Sequence, residues 1–296
     1  MNFGIGEFYS LACALVWAVA VVLFKKSGDS ISPFALNLFK NTLAALLLGV
    51  TVAVVSPALP AFTPLSLLLI AVSGLLGICF GDSCYLRALN TIGASRMAVA
   101  QTLFSPFVIV LSAIFLHERL YGLQWLGAAL VLGGIVLVTW TGNAGPAAAD
   151  AGRLRRGTAL GVFSVLLMAI GIVMAKPQLA QHALLWVVWL RVVAGVAGLL
   201  AMVALRRNAA ALRAEYRAVR HWPQIVAGSV AGTYLSMMLW LAGYKYTSAS
   251  VAAVLNETAA LFIVLFAVLF LRERVGPRQL AGVAVAMLGV GLMVLR

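Results

Sequence analysis

The sequence predicts an all-α integral membrane protein of ten transmembrane helices, arranged as two inverted five-helix repeats. Three observations predict it. Of its 296 residues 64% are hydrophobic and 10% charged, with a mean hydropathy of +1.07, whereas a soluble domain carries about 25% charged residues. Apolar runs of about 20 residues, enough to cross a bilayer as a helix, recur along the chain. Finally, Ala94 to Trp140 aligns without a gap on Ala249 to Leu295 at a constant offset (273 − 118 = 155), with 14 of 47 pairs identical. Such a duplication in a polytopic membrane protein points to two halves enclosing a site between them.

The first span, 6–24, follows Met1 to Gly6 directly, and no cleavable signal peptide is expected ahead of it. The second, 33–55, opens at Pro33 and carries Asn37, Lys40 and Asn41. Pro57, Pro60 and Pro64 lead into the third, 65–89, where Gly74, Gly77 and Gly81 share a face that lets backbones approach closely. The fourth, 92–116, contains Ser105-Pro106-Phe107, and the fifth covers 121–141. The widest polar gap follows, so the domains are expected at 1–141 and 157–296 with a linker over 142–156. Spans six to ten are expected at 157–176, 183–205, 223–245, 248–271 and 277–295, with Pro146, Pro223 and Pro277 at the joins. In the earlier helices the repeat runs at a second offset, Lys40 over Arg191 (191 − 40 = 151), the difference lying in the longer loop before span eight. Five spans per half is odd, so the second half is inverted.

A net charge of +13 would suggest nucleic acid for a soluble protein. Here the basic residues lie between spans, and topology accounts for them without a nucleic-acid partner. The loops joining spans 1–2, 3–4, 5–6, 7–8 and 9–10 hold 15 Lys and Arg, against four on the other side. The positive-inside rule places the basic loops in the cytoplasm and both termini outside. Within one such loop, Arg213, Arg217 and Arg220 stand opposite Leu212, Tyr216 and Val219: either a short interfacial helix or a solvated loop that fixes topology. Cys13, Cys79 and Cys84 fall in apolar segments without disulfide or zinc spacing. No nucleotide loop is present, and Asp82-Ser83-Cys84 with the distant His117, His182 and His221 makes no triad. Neither enzyme chemistry, cofactor nor metal is expected.

Several motifs recur in order in both halves: Leu116-x-Glu118-Arg119 and Leu271-x-Glu273-Arg274 closing spans four and nine, and Gln124-x-x-Gly127 and Gln279-x-x-Gly282 opening spans five and ten. With Trp17, Lys40, Arg191, Tyr85-Leu-Arg-Ala88-Leu89, Gly93-Ala94-Ser95 and Ser105-Pro106-Phe107, the whole chain resembles the EamA-type permeases of the drug/metabolite transporter superfamily. It departs from the pattern at Leu261, where span four has proline, and at Met168, opposite Trp17. The resemblance implies a secondary carrier, often an exporter of amino acids or other small metabolites, with cytoplasmic termini, the reverse of the charge count.

Duplication also sorts the polar residues. Those matched in both halves serve a shared scaffold, and those present in one half are better substrate candidates. Glu118 and Glu273 are matched and are expected to pair with Arg119, Arg274 or loop amides. Lys40 and Arg191, matched cations at membrane depth, are either structural or anchors for a substrate carboxylate. Asp82 and Glu257, opposite Met237 and Thr102, are the acids inside spans. A carboxylate there suits reversible protonation, unless each merely satisfies a neighbour, as Asp82 would with Lys40. Gln101 and Asn256 are matched amides, Thr102 adds a hydroxyl, and Trp17, Tyr85, Trp240 and Tyr244 can wall a pocket.

The function expected is a proton-coupled exporter of small metabolites or amino-acid-like solutes, working by alternating access in the bacterial cytoplasmic membrane. Its partners would be a small-molecule substrate, protons and the lipid bilayer. An exporter of lipophilic cations, with Glu257 binding the cation, is the alternative. A non-transporting membrane enzyme or scaffold is a third.

Overall fold

The computed structural model of the chain describes residues 4–294 apart from 29, 57, 59, 117–124, 128, 131, 132, 135, 136, 138–147, 248 and 274. The described residues are almost wholly helical, and seven of their helices are long and apolar enough to cross a membrane. The elements are α1 (Ile5–Ser27), α2 (Pro33–Val55), α3 (Pro64–Gly74, Leu75–Gly81 and Asp82–Ile92) and α4 (Ala94–Gln101 and Phe104–Leu116). They continue with α5 (Ala148–Gln181), α6 (Leu184–Arg206), α7 (Ala209–Ala218), α8 (Trp222–Ser229, Val230–Leu235 and Ser236–Tyr246), α9 (Ala249–Leu271) and α10 (Pro277–Val294).

Local chemistry starts these helices where the sequence suggests. Ser32 and Thr63 cap α2 and α3, their hydroxyls accepting from the Ala35 and Ser66 amides at 3.2 and 3.1 Å. Pro33 and Pro64 take the first helical position, where a missing N–H costs nothing. The span expected over 157–176 is longer at both ends, Ala148–Gln181, so residues 148–156 of the expected linker belong to the helix. Alanines favour that extension, and the helix passes through Pro177 near its end. The fifth span, 121–141, lies largely outside the described residues. Those described there, 125–127, 129, 130, 133, 134 and 137, are helical. Gly134 crosses α10 closely: a β carbon on it would stand 2.6 Å from the Gly282 carbonyl.

The halves interlock by exchange. The first helix of one half, α1, packs on α8 and α9, and its counterpart α5 packs on α3 and α4, while α2 lies against α6. This is the packing that two inverted repeats make around a shared axis. Small residues set the spacing. A β carbon on Gly74 would come within 2.2 Å of the Arg191 carbonyl, and one on Gly195 within 2.5 Å of Ile78 Cγ2. Gly74→Val is therefore expected to lower stability by about 1–3 kcal/mol, read as a lower melting temperature in detergent.

Two features were not foreseen. The middles of α3 and α8 are π-helical, over Leu75–Gly81 and Val230–Leu235, and their starts differ by the repeat offset (230 − 75 = 155). The Asp82 amide reaches back to the Gly77 carbonyl and the Ser236 amide to that of Ala231, five residues away in each case. Such widened turns cluster at functional sites. The second feature is a break in α4 at Thr102 and Leu103. Pro106 has no N–H for the Thr102 carbonyl, and the chain there makes only tighter turns, Thr102 N to Val99 O and Leu103 N to Ala100 O. Leu261 at the matching position leaves α9 continuous.

The loop between spans seven and eight holds a short amphipathic helix, α7. Leu212 and Val219 are buried, and the Tyr216 hydroxyl donates to the Ala35 carbonyl at 2.9 Å. Burial, with the Glu215 charge beside it, pushes the Tyr216 phenol up to about 12, so it remains a donor at any working pH. The apolar face of α7 thus packs on the start of α2, and Arg213, Arg217 and Arg220 are exposed.

Candidate functional site

At the centre, where both π-helical segments and the broken α4 converge, lies a cavity of about 130 Å³. Nine of the eleven expected residues line it: Trp17 of α1, Lys40 of α2, Asp82 and Tyr85 of α3, Gln101 of α4, Arg191 of α6, Trp240 of α8, and Asn256 and Glu257 of α9. Thr102 and Tyr244 do not. The Thr102 hydroxyl is spent on the Val99 carbonyl at 2.7 Å. Tyr244 packs on Trp240, ring centroids 5.5 Å apart, with its hydroxyl buried and without a hydrogen-bond partner among the described residues.

On α2, Asn37 and Asn41 beside Lys40 brace the wall and do not line it. Asn37 donates to the Ile78 carbonyl and to Ser83 Oγ, both at 2.9 Å, and so ties α2 to the π-helical turn of α3. Asn41 donates to Asn37 Oδ1 at 2.7 Å. Beside them Lys40 forms an ion pair with Asp82.

The matched cation of the other half has no such partner. Arg191 is 3% exposed, and its Nε and Nη1 make no hydrogen bond among the described residues. Repeat symmetry gives the reason: the position corresponding to Asp82 is Met237 (237 − 82 = 155). Arg191 lies 6.0 Å from the ring of Trp240. Gly77 keeps the space beside it open, since a β carbon there would sit 3.5 Å from its Nη2.

Glu257 is the complementary case. It is 5% exposed and has no cation partner among the described residues. Its Oε1 accepts from the Ser105 amide at 3.2 Å and the Ser105 hydroxyl at 2.8 Å. Those donors exist because α4 is broken: the amides that open the Phe104–Leu116 segment have no carbonyl in their own helix, and a carboxylate from α9 meets one of them. Proline in one half and an acid in the other thus make one asymmetric feature.

Aromatic rings complete the walls. Gln101 Oε1 accepts from Trp17 Nε1 at 3.3 Å and the Tyr85 hydroxyl at 3.0 Å, fixing two rings whose centroids are 5.7 Å apart. Phe104 and Trp240 face each other at 5.8 Å. Asn256 donates to the Ala252 carbonyl at 2.8 Å, and its Oδ1 has no partner among the described residues, nor has Thr233 Oγ1. Thr233 and Ser236 were missed as lining residues. The rule of one-sided polarity would have found Thr233, which stands opposite Ile78 in the repeat.

Of the two matched glutamates, Glu273 does not line the cavity. Glu273 accepts from the Ala94 and Ser95 amides at 2.9 and 3.1 Å and from Ser95 Oγ at 2.7 Å, capping α4 from the end of α9. Its loop-amide role is thus observed, while Glu118 and Arg119 lie outside the described residues. Glu273→Ala is expected to cost about 1–2 kcal/mol of stability, read by thermal unfolding, with ligand affinity unchanged.

The sequence profile of the EamA-like transporter family matches the chain twice, over residues 4–140 and 155–295. An uncharacterized transporter of Archaeoglobus fulgidus is 25% identical over 290 residues, covering 97% of this chain and 96% of its own. A protein of known crystal structure aligns with a TM-score of 0.70 at 17% identity, covering 97% of this chain and 96% of its own, a likeness of fold alone.

Proposed function

The chain belongs to the EamA-like transporter family and is a multi-pass membrane transporter, and we propose that it exports small zwitterionic, amino-acid-like solutes in exchange for protons across a bacterial cytoplasmic membrane. The observation that carries this reading is the pairing pattern of the cavity. Of its four charged side chains, Lys40 and Asp82 pair with each other, and Arg191 and Glu257 face the space with no ion-pair partner among the described residues. A buried unpaired cation is costly, and a ligand carboxylate supplies what Met237 does not. A ligand ammonium then meets Glu257 and the Asn256 carbonyl oxygen, with its side chain among the aromatic rings. Protonation of Glu257 removes the charge that holds the ammonium, so proton and substrate compete for one carboxylate. The two interlocked halves would rock about the cavity, opening it to each side in turn.

The cation-exporter reading draws on the same carboxylate and rings, but the free guanidinium beside Trp240 opposes a cationic ligand. Counterflow separates the two. Liposomes carrying the protein and loaded with mixed unlabelled amino acids are expected to accumulate external radiolabelled amino acids. Accumulation of tetraphenylphosphonium instead, with no amino-acid counterflow, overturns the proposal.

A further inference from the structure

The basic side of the molecule holds a second pocket of about 630 Å³ where α3 ends and α5 begins. Arg87 of α3 and Arg153 and Arg156 of α5 line it together with Thr91 and Leu160. No arginine of the three has an acidic partner among the described residues. The Thr91 hydroxyl is turned to the Arg87 carbonyl at 2.7 Å. Three like charges therefore converge on one space, with no ion-pair partner among the described residues.

Depth narrows the ligand. Arg87 stands five residues before the end of α3 (92 − 87), about 7.5 Å along its axis, and Arg153 and Arg156 precede the apolar stretch of α5. That is the level of lipid head groups. At Gly157 the two helices touch, since a β carbon there would lie 2.4 Å from Ile92 Cγ2, while a β carbon on Gly152 would meet nothing within 4 Å among the described residues. The pocket thus has a closed end and an open mouth, with Leu160 offering apolar surface one turn deeper. The residue type fits a phosphate: guanidinium groups fork onto its oxygens, which ammonium groups do not. The arrangement also occurs once. The repeat counterpart of Arg87 is Ala242 (87 + 155), and that of Arg156 is Ile5 (156 − 151). It is therefore not a by-product of duplication.

We propose that this pocket binds the phosphate of an anionic phospholipid, seated between the ends of α3 and α5. Because α5 packs on both α3 and α4, the lipid would clamp helices that also wall the central cavity.

The test is a lipid titration of the purified full-length chain in detergent, read by melting temperature and by native mass spectrometry. Cardiolipin and phosphatidylglycerol are expected to raise the melting temperature and stay bound, and phosphatidylcholine to do neither. Arg87→Gln and Arg156→Gln are each expected to weaken binding about fivefold, and together on the order of 30-fold. The double variant Arg213→Gln, Arg217→Gln, on the exposed face of α7, is expected to bind as the wild type does. Should the Arg87/Arg156 double variant not fold, the two single variants and Arg153→Gln decide the matter, each removing one exposed side chain. Unchanged lipid affinity in the pocket variants overturns the proposal, as does an equal loss in the α7 variant. A response to inorganic phosphate as large as that to lipid overturns the lipid assignment in favour of free phosphate.

Discussion

Replacing Arg191 with glutamine is expected to raise the melting temperature of the ligand-free protein and to weaken substrate binding roughly 10- to 100-fold. An arginine that only held the fold together would give the opposite result, a lower melting temperature. The difference follows from where its partners are. A buried guanidinium whose Nε and Nη1 make no hydrogen bond among the described residues carries a desolvation cost that the Trp240 ring only partly offsets and a ligand carboxylate would meet. Neutralising it removes that penalty, and with it a charge-assisted hydrogen bond of about 1.5–3 kcal/mol, so affinity falls roughly 10- to 100-fold. Met237→Asp probes the same point from the other side. It restores on α8 the acid that α3 has at Asp82, gives Arg191 an internal counter-ion, and is expected to weaken binding as much as the loss of the arginine does. Isothermal titration with the bound amino acid reads both variants, and substrate affinity preserved in either would remove Arg191 from the binding site.

Glu257→Gln is expected to uncouple transport from protons while leaving the fold in place. A glutamine oxygen can accept the same two hydrogen bonds from Ser105, so the cap on the second segment of α4 survives. What disappears is the group that alternates between proton and ammonium. In proteoliposomes the variant should lose all stimulation of amino-acid flux by an imposed pH gradient, and net flux should become independent of pH. The paired acid provides the contrast. Asp82→Asn breaks the ion pair with Lys40, leaves a buried cation uncompensated, and is expected to cost about 3–5 kcal/mol of stability. Its main readout is a lower melting temperature. If Glu257→Gln retains wild-type pH dependence, the coupling group lies elsewhere.

The architecture was legible because membrane helices announce themselves by length and hydropathy, and because the duplication survives in identical residues such as Phe107 and Phe262. Most of the cavity was legible for a related reason: charged and amide side chains at membrane depth are rare enough that each must face a partner or a space. What the sequence left open was how they pair. Asp82 has two cations to choose from, and only the packing of α2 on α3, braced by Asn37, gives it to Lys40. The π-helical turns were invisible because they depend on one extra residue in a backbone bond, and glycine-rich runs such as Gly74 to Gly81 are equally compatible with an unbroken α-helix. The break in α4 had a signal in Pro106, opposite Leu261, but its use required knowing that Glu257 of another helix faces the freed amides. The start of α5 went unread because Ala148 to Arg156 is polar enough to resemble a linker and still helix-favouring enough to extend the span.

The central claim is that the cavity holds a zwitterion by both of its charges. It is tested most directly by comparing three ligands in one thermal-shift series: a neutral amino acid that stabilises the protein, its carboxamide, and its N-acetyl derivative. A ligand that binds the folded state raises the melting temperature by mass action, about 2.7 kcal/mol of stabilisation at one hundred times its dissociation constant. The intact amino acid is expected to give the full shift, and both capped forms none. A full shift with the carboxamide would free Arg191 from the binding role, and stabilisation by lipophilic cations with none by any amino acid would contradict the account as a whole.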